Sequence, residues 1–157
     1  MKLKRAGDFL IKAVSTGFFI GYLPLVPGTF GSIVGVGLFY LLKGAAPLTY
    51  FLFIFGIIAL GLITCGRMEK LLNKKDPGCI VIDEVAGMLI ALSFMPDDFK
   101  IIFLAFLIFR ILDTLKPYPA ARLENRRGAL GVMGDDLIAG IYTNIVLLLI
   151  LKLDMRG

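Results

Sequence analysis

Five apolar stretches separated by islands of charge dominate this sequence: residues 13–42, 45–66, 79–96, 100–115 and 136–153. A soluble domain of this size would spread its charge along separable faces. Here 58% of residues are hydrophobic, which with the island pattern points to a polytopic membrane protein. In hydrocarbon every backbone polar group needs a partner within its own segment or a closed barrel, and the alternating pattern of a barrel is absent. The expectation is an all-α, polytopic membrane helical bundle with about five crossings, forming one domain over residues 1–157. No cleavable-signal pattern with a small-residue cleavage site occurs, so the first apolar segment is expected to stay.

The basic residues set an expected orientation. Lys2, Lys4, Arg5 and Lys12 precede the first stretch, and Arg67, Lys70, Lys74 and Lys75 follow the second. Arg110, Lys116, Arg122, Arg126 and Arg127 surround the connection between the fourth and fifth. These islands hold 13 of the 17 basic residues, so the positive-inside rule places them in the cytoplasm. The remainder are Lys43, Lys100, Lys152 and Arg156. The net charge of +5 then describes a basic face toward an anionic lipid bilayer and not a nucleic-acid binder. For Lys70, Lys74 and Lys75 topology alone is a sufficient reading.

This orientation lets residues 13–42 cross only once, although they are too many for one simple span. The segment "LVPGTFGSIVG", residues 25–35, supplies a break between Pro24 and Gly31. The first segment is therefore expected to be broken or re-entrant, with residues 9–24 entering and returning or lying at the interface, and a helix from about 29 to 43. Non-helical backbone at membrane depth is tolerated where it lines a cavity. Thr29 and Ser32 are candidate N-caps, and the free amides of a helix start attract anions.

The carboxylates converge on the same side. Asp83 and Glu84 lie in the first turns of the third stretch, Asp113 in the last turn of the fourth, and Asp135 and Asp136 at the opening of the fifth. Ionisable residues in spanning segments are costly and usually functional. Crowded carboxylates repel unless cations balance them, and Mg²⁺ suits a carboxylate and water shell completed by substrate phosphate. The alternative is a solvated salt-bridge rim with Arg110, Lys116 and Arg122. Asp83 and Gly87, and Asp136 and Gly140, share the spacing D-x-x-x-G, which sets each acid over a notch on one helix face; as a repeat the pattern is short enough for chance. Arg110, Asp113 and Lys116 form a stripe down one helix end, stopped by Pro117 and Pro119. Cations there suit a phosphate, and they also suit an ordinary helix C-terminus.

The residue inventory narrows the chemistry. There is no histidine, which excludes a histidine nucleophile. Neither Cys65 nor Cys79 begins a Cys-x5-Arg motif, and neither D-x-D nor a Walker A pattern occurs. The two cysteines have no paired-ligand spacing and are expected to be free thiols on a reducing side. A metal-organised phosphoryl site survives, with one Asp as base or nucleophile.

The segments "STGFFIGYLPLVPGTFGS", "IDEVAGM", "FRILDTLKPYPAARLE" and "GVMGDDLIAG" together resemble the bacterial phosphatidylglycerophosphatase A family, in order and approximate spacing, over residues 15 to 141. The resemblance implies a lipid phosphatase that uses Mg²⁺ to convert phosphatidylglycerophosphate to phosphatidylglycerol at the inner membrane, with the active site facing the cytoplasm. It carries catalytic or metal-binding roles to Asp83, Glu84, Asp113, Asp135 and Asp136. Phosphate-binding roles fall on Thr29, Ser32, Arg110 and Lys116. Gly128-Ala129 departs from the Gly-Gly pair more usual in the family, so that loop is given no catalytic role. The competing reading is a small secondary transporter or ion-binding membrane protein, which also uses a broken helix and intramembrane acids. Acids at one face instead of the midplane, and the lack of an inverted repeat, stand against it. A third is an assembly factor whose polar residues only pack.

Overall fold

The computed structural model describes residues 2–154. Arg156, counted above with the basic residues, lies outside them, as do the side chains of Lys2, Lys4 and Glu124. The described residues are helical, with no strand: α1 (Lys2–Ser15), a short 3-10 turn (Ile20–Tyr22), α2 (Pro27–Leu41), α3 (Pro47–Leu72), α4 (Ile82–Ala91), α5 (Phe99–Leu115), α6 (Ala120–Glu124) and α7 (Ala129–Asp154). Two helices, α3 and α7, are long and apolar enough to cross a membrane, and only 22% and 28% of their apolar windows are buried. The core helix of a soluble protein would be covered. Here Leu52, Phe55 and Ile63 of α3 and Ile145, Leu148 and Leu149 of α7 face outward, a large apolar surface that water disfavours.

The third stretch gives the shortest main helix. α4 has 10 residues and is roughly 15 Å long, half of what a crossing needs. It lies at the centre of the bundle, with eight of its residues buried, among them Val85, Ala86, Met88 and Leu89. Its early end inside the structure leaves carbonyls that need donors. The Tyr50 hydroxyl donates to the Leu89 carbonyl at 2.7 Å. Asn144 Nδ2 donates to the carbonyls of Ala91 and Ser93 at 3.1 and 2.7 Å. Side chains of α3 and α7 thus satisfy a helix end that stops short.

Contacts fix the helix directions. Gly28 lies against Glu84 and Gly35 against Met88, so α2 runs parallel to α4. Gly87 faces Gly140 and Asn144 reaches Ala91, so α7 runs the same way. Gly66 meets Ala129, which makes α3 antiparallel to α7, and Lys116 reaches Asp135, which does the same for α5. The N-termini of α2, α4 and α7 therefore gather at one end with the C-termini of α3 and α5. The opposite end carries the Lys43–Asp97 ion pair.

The first segment is broken as expected, but not where expected. The irregular backbone covers residues 16–26, and Pro27 already opens α2, inside the stretch where the break was expected. Proline is suited to the first helical position, where its missing N–H costs nothing. α1 ends at Ser15 and packs Ile11 and Val14 on a cluster around Cys65, Met68 and Ile80. The break docks on the approach to α4: Val81 N donates to the Ser15 carbonyl at 2.9 Å, and Gly21 touches the Cys79 carbonyl. Its outer side exposes Phe18, Tyr22, Leu23 and Leu25.

The tightest approach is between α4 and α7. A Cβ on Gly87 would come within 2.7 Å of the Asp136 carbonyl oxygen and of the Phe109 ring, and one on Gly140 would strike the backbone of Gly87. The two D-x-x-x-G segments thus face each other. Gly140→Ala is expected to push α7 off α4 and lower stability by about 1–3 kcal/mol, the usual cost of overpacking. Thermal unfolding in detergent measures this, with Gly37→Ala as the control, because nothing lies within 4 Å of a Cβ built on Gly37.

Candidate metal and phosphate site

The close approach of α4 and α7 creates a cavity of about 350 Å³ at the end where three helix N-termini meet. Asp83 and Glu84 enter it from the first turn of α4. Asp135 and Asp136 enter from α7, which begins at Ala129, so they lie nearly two turns inside the helix and not at its opening. The run "GALGVMG" looks like a loop because of its glycines. Instead those glycines let α7 start early: Gly131 packs against the Arg126 carbonyl and Gly134 against Leu123. Asp113 and Lys116 come from the end of α5, with Lys116 as its left-handed C-cap.

All five sequence-predicted carboxylates line this cavity, together with Lys116. Asp83, Asp135 and Asp136 are buried, whereas a solvated rim would expose them. Lys116 Nζ pairs with Asp135 Oδ2 at 2.7 Å, and Arg110 Nη1 with Asp113 Oδ2 at 2.8 Å. Asp83 Oδ1 accepts the Glu84 amide at 3.1 Å. Other atoms are left over: Glu84 Oε2, Asp135 Oδ1 and Asp136 Oδ1 are buried with no hydrogen-bond partner among the described residues. A buried carboxylate oxygen without a partner is expensive.

One oxygen from each of Asp83, Glu84 and Asp136 lies within 4.8 Å of the others. That convergence, with two orphaned oxygens among the three residues, fits one hard cation held by oxygen ligands. Asp135 is outside the trio, because Lys116 holds it. Asp113 also stays outside, paired with Arg110.

Thr29 and Ser32 do not line the cavity. Neither caps α2, whose N-cap is Val26 with no side-chain bond. Ser32 is buried, and its hydroxyl donates to the Gly28 carbonyl at 3.0 Å, a bond a mid-helix serine readily forms. What the segment brings to the site is Gly28, which touches Glu84 and lies against the Arg110 guanidinium. Both cysteines are free, and burial raises the Cys79 thiol above its ordinary range, which makes it a poor nucleophile.

Sequence reasoning missed two acids. Asp76 lines the cavity. Glu69, near the end of α3, accepts the Asp76 amide at 2.8 Å on one oxygen and the Gly128 amide at 2.7 Å on the other. It ties together the two loops that flank the site. The available signal was an acid alone within a basic island, and an Asp-Pro pair ending that island. Glu69→Ala is expected to cost about 1.5–3 kcal/mol for each charge-assisted bond lost. It should also speed protease cleavage near residue 76, while cleavage near Lys43 stays unchanged.

The family model described as Phosphatidylglycerophosphatase A matches residues 13–151. A phosphatidylglycerophosphatase A of Escherichia coli K12 is 36% identical over 144 residues, covering 90% of this chain and 83% of the relative. Its Haemophilus influenzae counterpart is 33% identical over 139 residues, covering 87% and 85%. A Bacteroides thetaiotaomicron protein, provisionally named a phosphatidylinositol-3-phosphatase, is 36% identical over 149 residues, covering 89% and 92%. No solved structure matches.

Proposed function

The chain belongs to the phosphatidylglycerophosphatase A family, and from that premise we propose that it is a Mg²⁺-dependent lipid phosphatase acting at the cytoplasmic face of a bacterial inner membrane. Its substrate is phosphatidylglycerophosphate, and its products are phosphatidylglycerol and phosphate. The observation that carries this reading is the convergence of buried Asp83 and Asp136 with half-buried Glu84, beside Lys116 in one cavity. The Bacteroides relative's name points to a different headgroup, so the choice of headgroup rests on the family and on the two named phosphatidylglycerophosphatases.

Several observations support a multi-pass chain with this orientation. The helices from α2 to α5, and then α7, alternate in direction. Among the described basic residues outside α1, Arg67, Lys70, Lys74, Lys75, Arg110, Lys116, Arg122, Arg126 and Arg127 lie at the cavity's end, and Lys43, Lys100 and Lys152 at the other. That asymmetry supports the reading in which the cavity's end faces the cytoplasm. α4 needs no full span, because protein surrounds it.

In this reading Asp83, Glu84 and Asp136 hold the cation. When bound, it offsets the charge of the phosphate and lowers the pKa of a water molecule. Lys116, held in place by Asp135, and Arg110, held by Asp113, supply the positive charge for the phosphate oxygens. Asp113 accepts a proton from the attacking water as the phosphorus–oxygen bond to the lipid breaks. The departing glycerol oxygen takes up a proton from solvent and leaves as the hydroxyl of the product, and Asp113 returns its own proton to solvent. Glu69 holds the Asp76 and Gly128 loops together beside the cavity.

Turnover is expected to vanish with a chelator and return with Mg²⁺. Asp83→Asn and Asp136→Asn should weaken Mg²⁺ affinity and be partly rescued by excess metal. Asp113→Asn should keep that affinity and lose at least ~10²-fold in kcat. Lys116→Ala should mainly raise KM, if the ammonium holds phosphate equally in ground and transition states. Phosphate release from the lipid in detergent is the assay. Near-normal turnover of all three Asn variants at low Mg²⁺ would reduce the cluster to a structural one.

A further inference from the structure

A second concavity opens at the same end of the bundle and shares no lining residue with the acidic cavity. It is a groove of about 620 Å³ between the end of α3 and the turn into α7, a volume typical of ligand clefts. Arg67, Lys70, Lys74, Lys75 and Arg127 line it. All five are exposed, and none forms a salt bridge among the described residues. The one acid in the lining, Glu69, is occupied by the amides of Asp76 and Gly128. The rim is therefore strongly positive.

The other end of the groove is apolar. Leu62 and Ile63 line it from the exposed flank of α3. Between them and the rim, Gly66 lets α3 approach Ala129 and keeps the channel free of a side chain. A free phosphate or a nucleotide would use the rim and leave the apolar end empty. A lipid uses both. The acidic cavity is a poor first stop for such a molecule, because six carboxylates line it against one lysine.

We propose that this groove is a metal-independent binding site for an anionic phospholipid, with the headgroup phosphate on the Arg67, Lys70 and Lys74 rim and an acyl chain along Leu62 and Ile63. The proposal rests on the membrane reading above and not on the assigned chemistry. Basic pockets at the cytoplasmic ends of membrane helices commonly hold anionic headgroups. The site adjoins the cavity: Lys75 lines the groove, Asp76 lines the cavity, and Glu69 binds the loop between them. A lipid seated here bears directly on the position of Asp76.

Native mass spectrometry of the whole protein, released from detergent in the presence of EDTA, tests this with phosphatidylglycerol and phosphatidylcholine as probes. Wild type should retain one phosphatidylglycerol in preference to phosphatidylcholine. The triple variant Arg67→Gln, Lys70→Gln, Lys74→Gln should lose roughly 10²-fold in phosphatidylglycerol affinity, with phosphatidylcholine unaffected. Lys70→Arg with Lys74→Arg should keep binding, which separates charge from folding. Millimolar inorganic phosphate should not displace the lipid. Equal phosphatidylglycerol retention by wild type and the triple variant would overturn the proposal, and so would complete displacement by phosphate, which marks a free-phosphate site. Chelator is present throughout, so a protein with no turnover at all would still give a clear answer, and the failure of either reading is visible by itself.

Discussion

The contact on which the rest of the structure depends is the glycine-to-glycine approach of α4 and α7. Gly87 and Gly140 bring the two backbones together, and a methyl on either would collide with the other helix. Because the helices run parallel, the residues one turn before each glycine meet as well. Those residues are Asp83 and Asp136. Side-chain periodicity therefore places two carboxylates against each other, and the packing removes them from water. The repulsion between them is the cost of the contact, and it makes the cluster receptive to a cation.

A short α4 follows from the same geometry. A helix that must present Asp83 and Glu84 at one end of the bundle, and be covered by α2, α3, α5 and α7, cannot also face lipid. It ends inside, and Tyr50 and Asn144 take up the carbonyls exposed there. Polar side chains on long helices thus stabilise the end of a short one, and the short one carries Asp83 and Glu84 at its other end. α5 closes the arrangement through Lys116, whose pair with Asp135 ties the end of α5 to α7.

Much of this was legible in the sequence. The apolar stretches located α2, α3, α4, α5 and α7, and charge bias alone brought Asp83, Glu84, Asp113, Asp135 and Asp136 to one end. Helix lengths were less legible. An apolar run such as 79–96 reads the same whether lipid or protein covers it, so the brevity of α4 was hidden. The start of α7 was hidden too, since glycines read as loop until a neighbouring backbone is known to need the space. Thr29 and Ser32 misled because hydroxyls beside Gly and Pro suggest a cap, whereas Pro27 opens the helix and Ser32 bonds within it. Glu69 was invisible for a different reason: its partners, at Asp76 and Gly128, come together only in the fold.

The proposed site has the carboxylates of Asp83, Glu84 and Asp136 sharing one divalent cation. Anomalous scattering from crystals of the protein grown with Mn²⁺, an oxygen-seeking stand-in for Mg²⁺, tests it most directly. A peak is expected at bonding distance from an oxygen of each of the three residues, absent in Asp136→Asn crystals grown alike. A saturating soak that leaves those oxygens without a peak, or places the metal elsewhere in the chain, would contradict it.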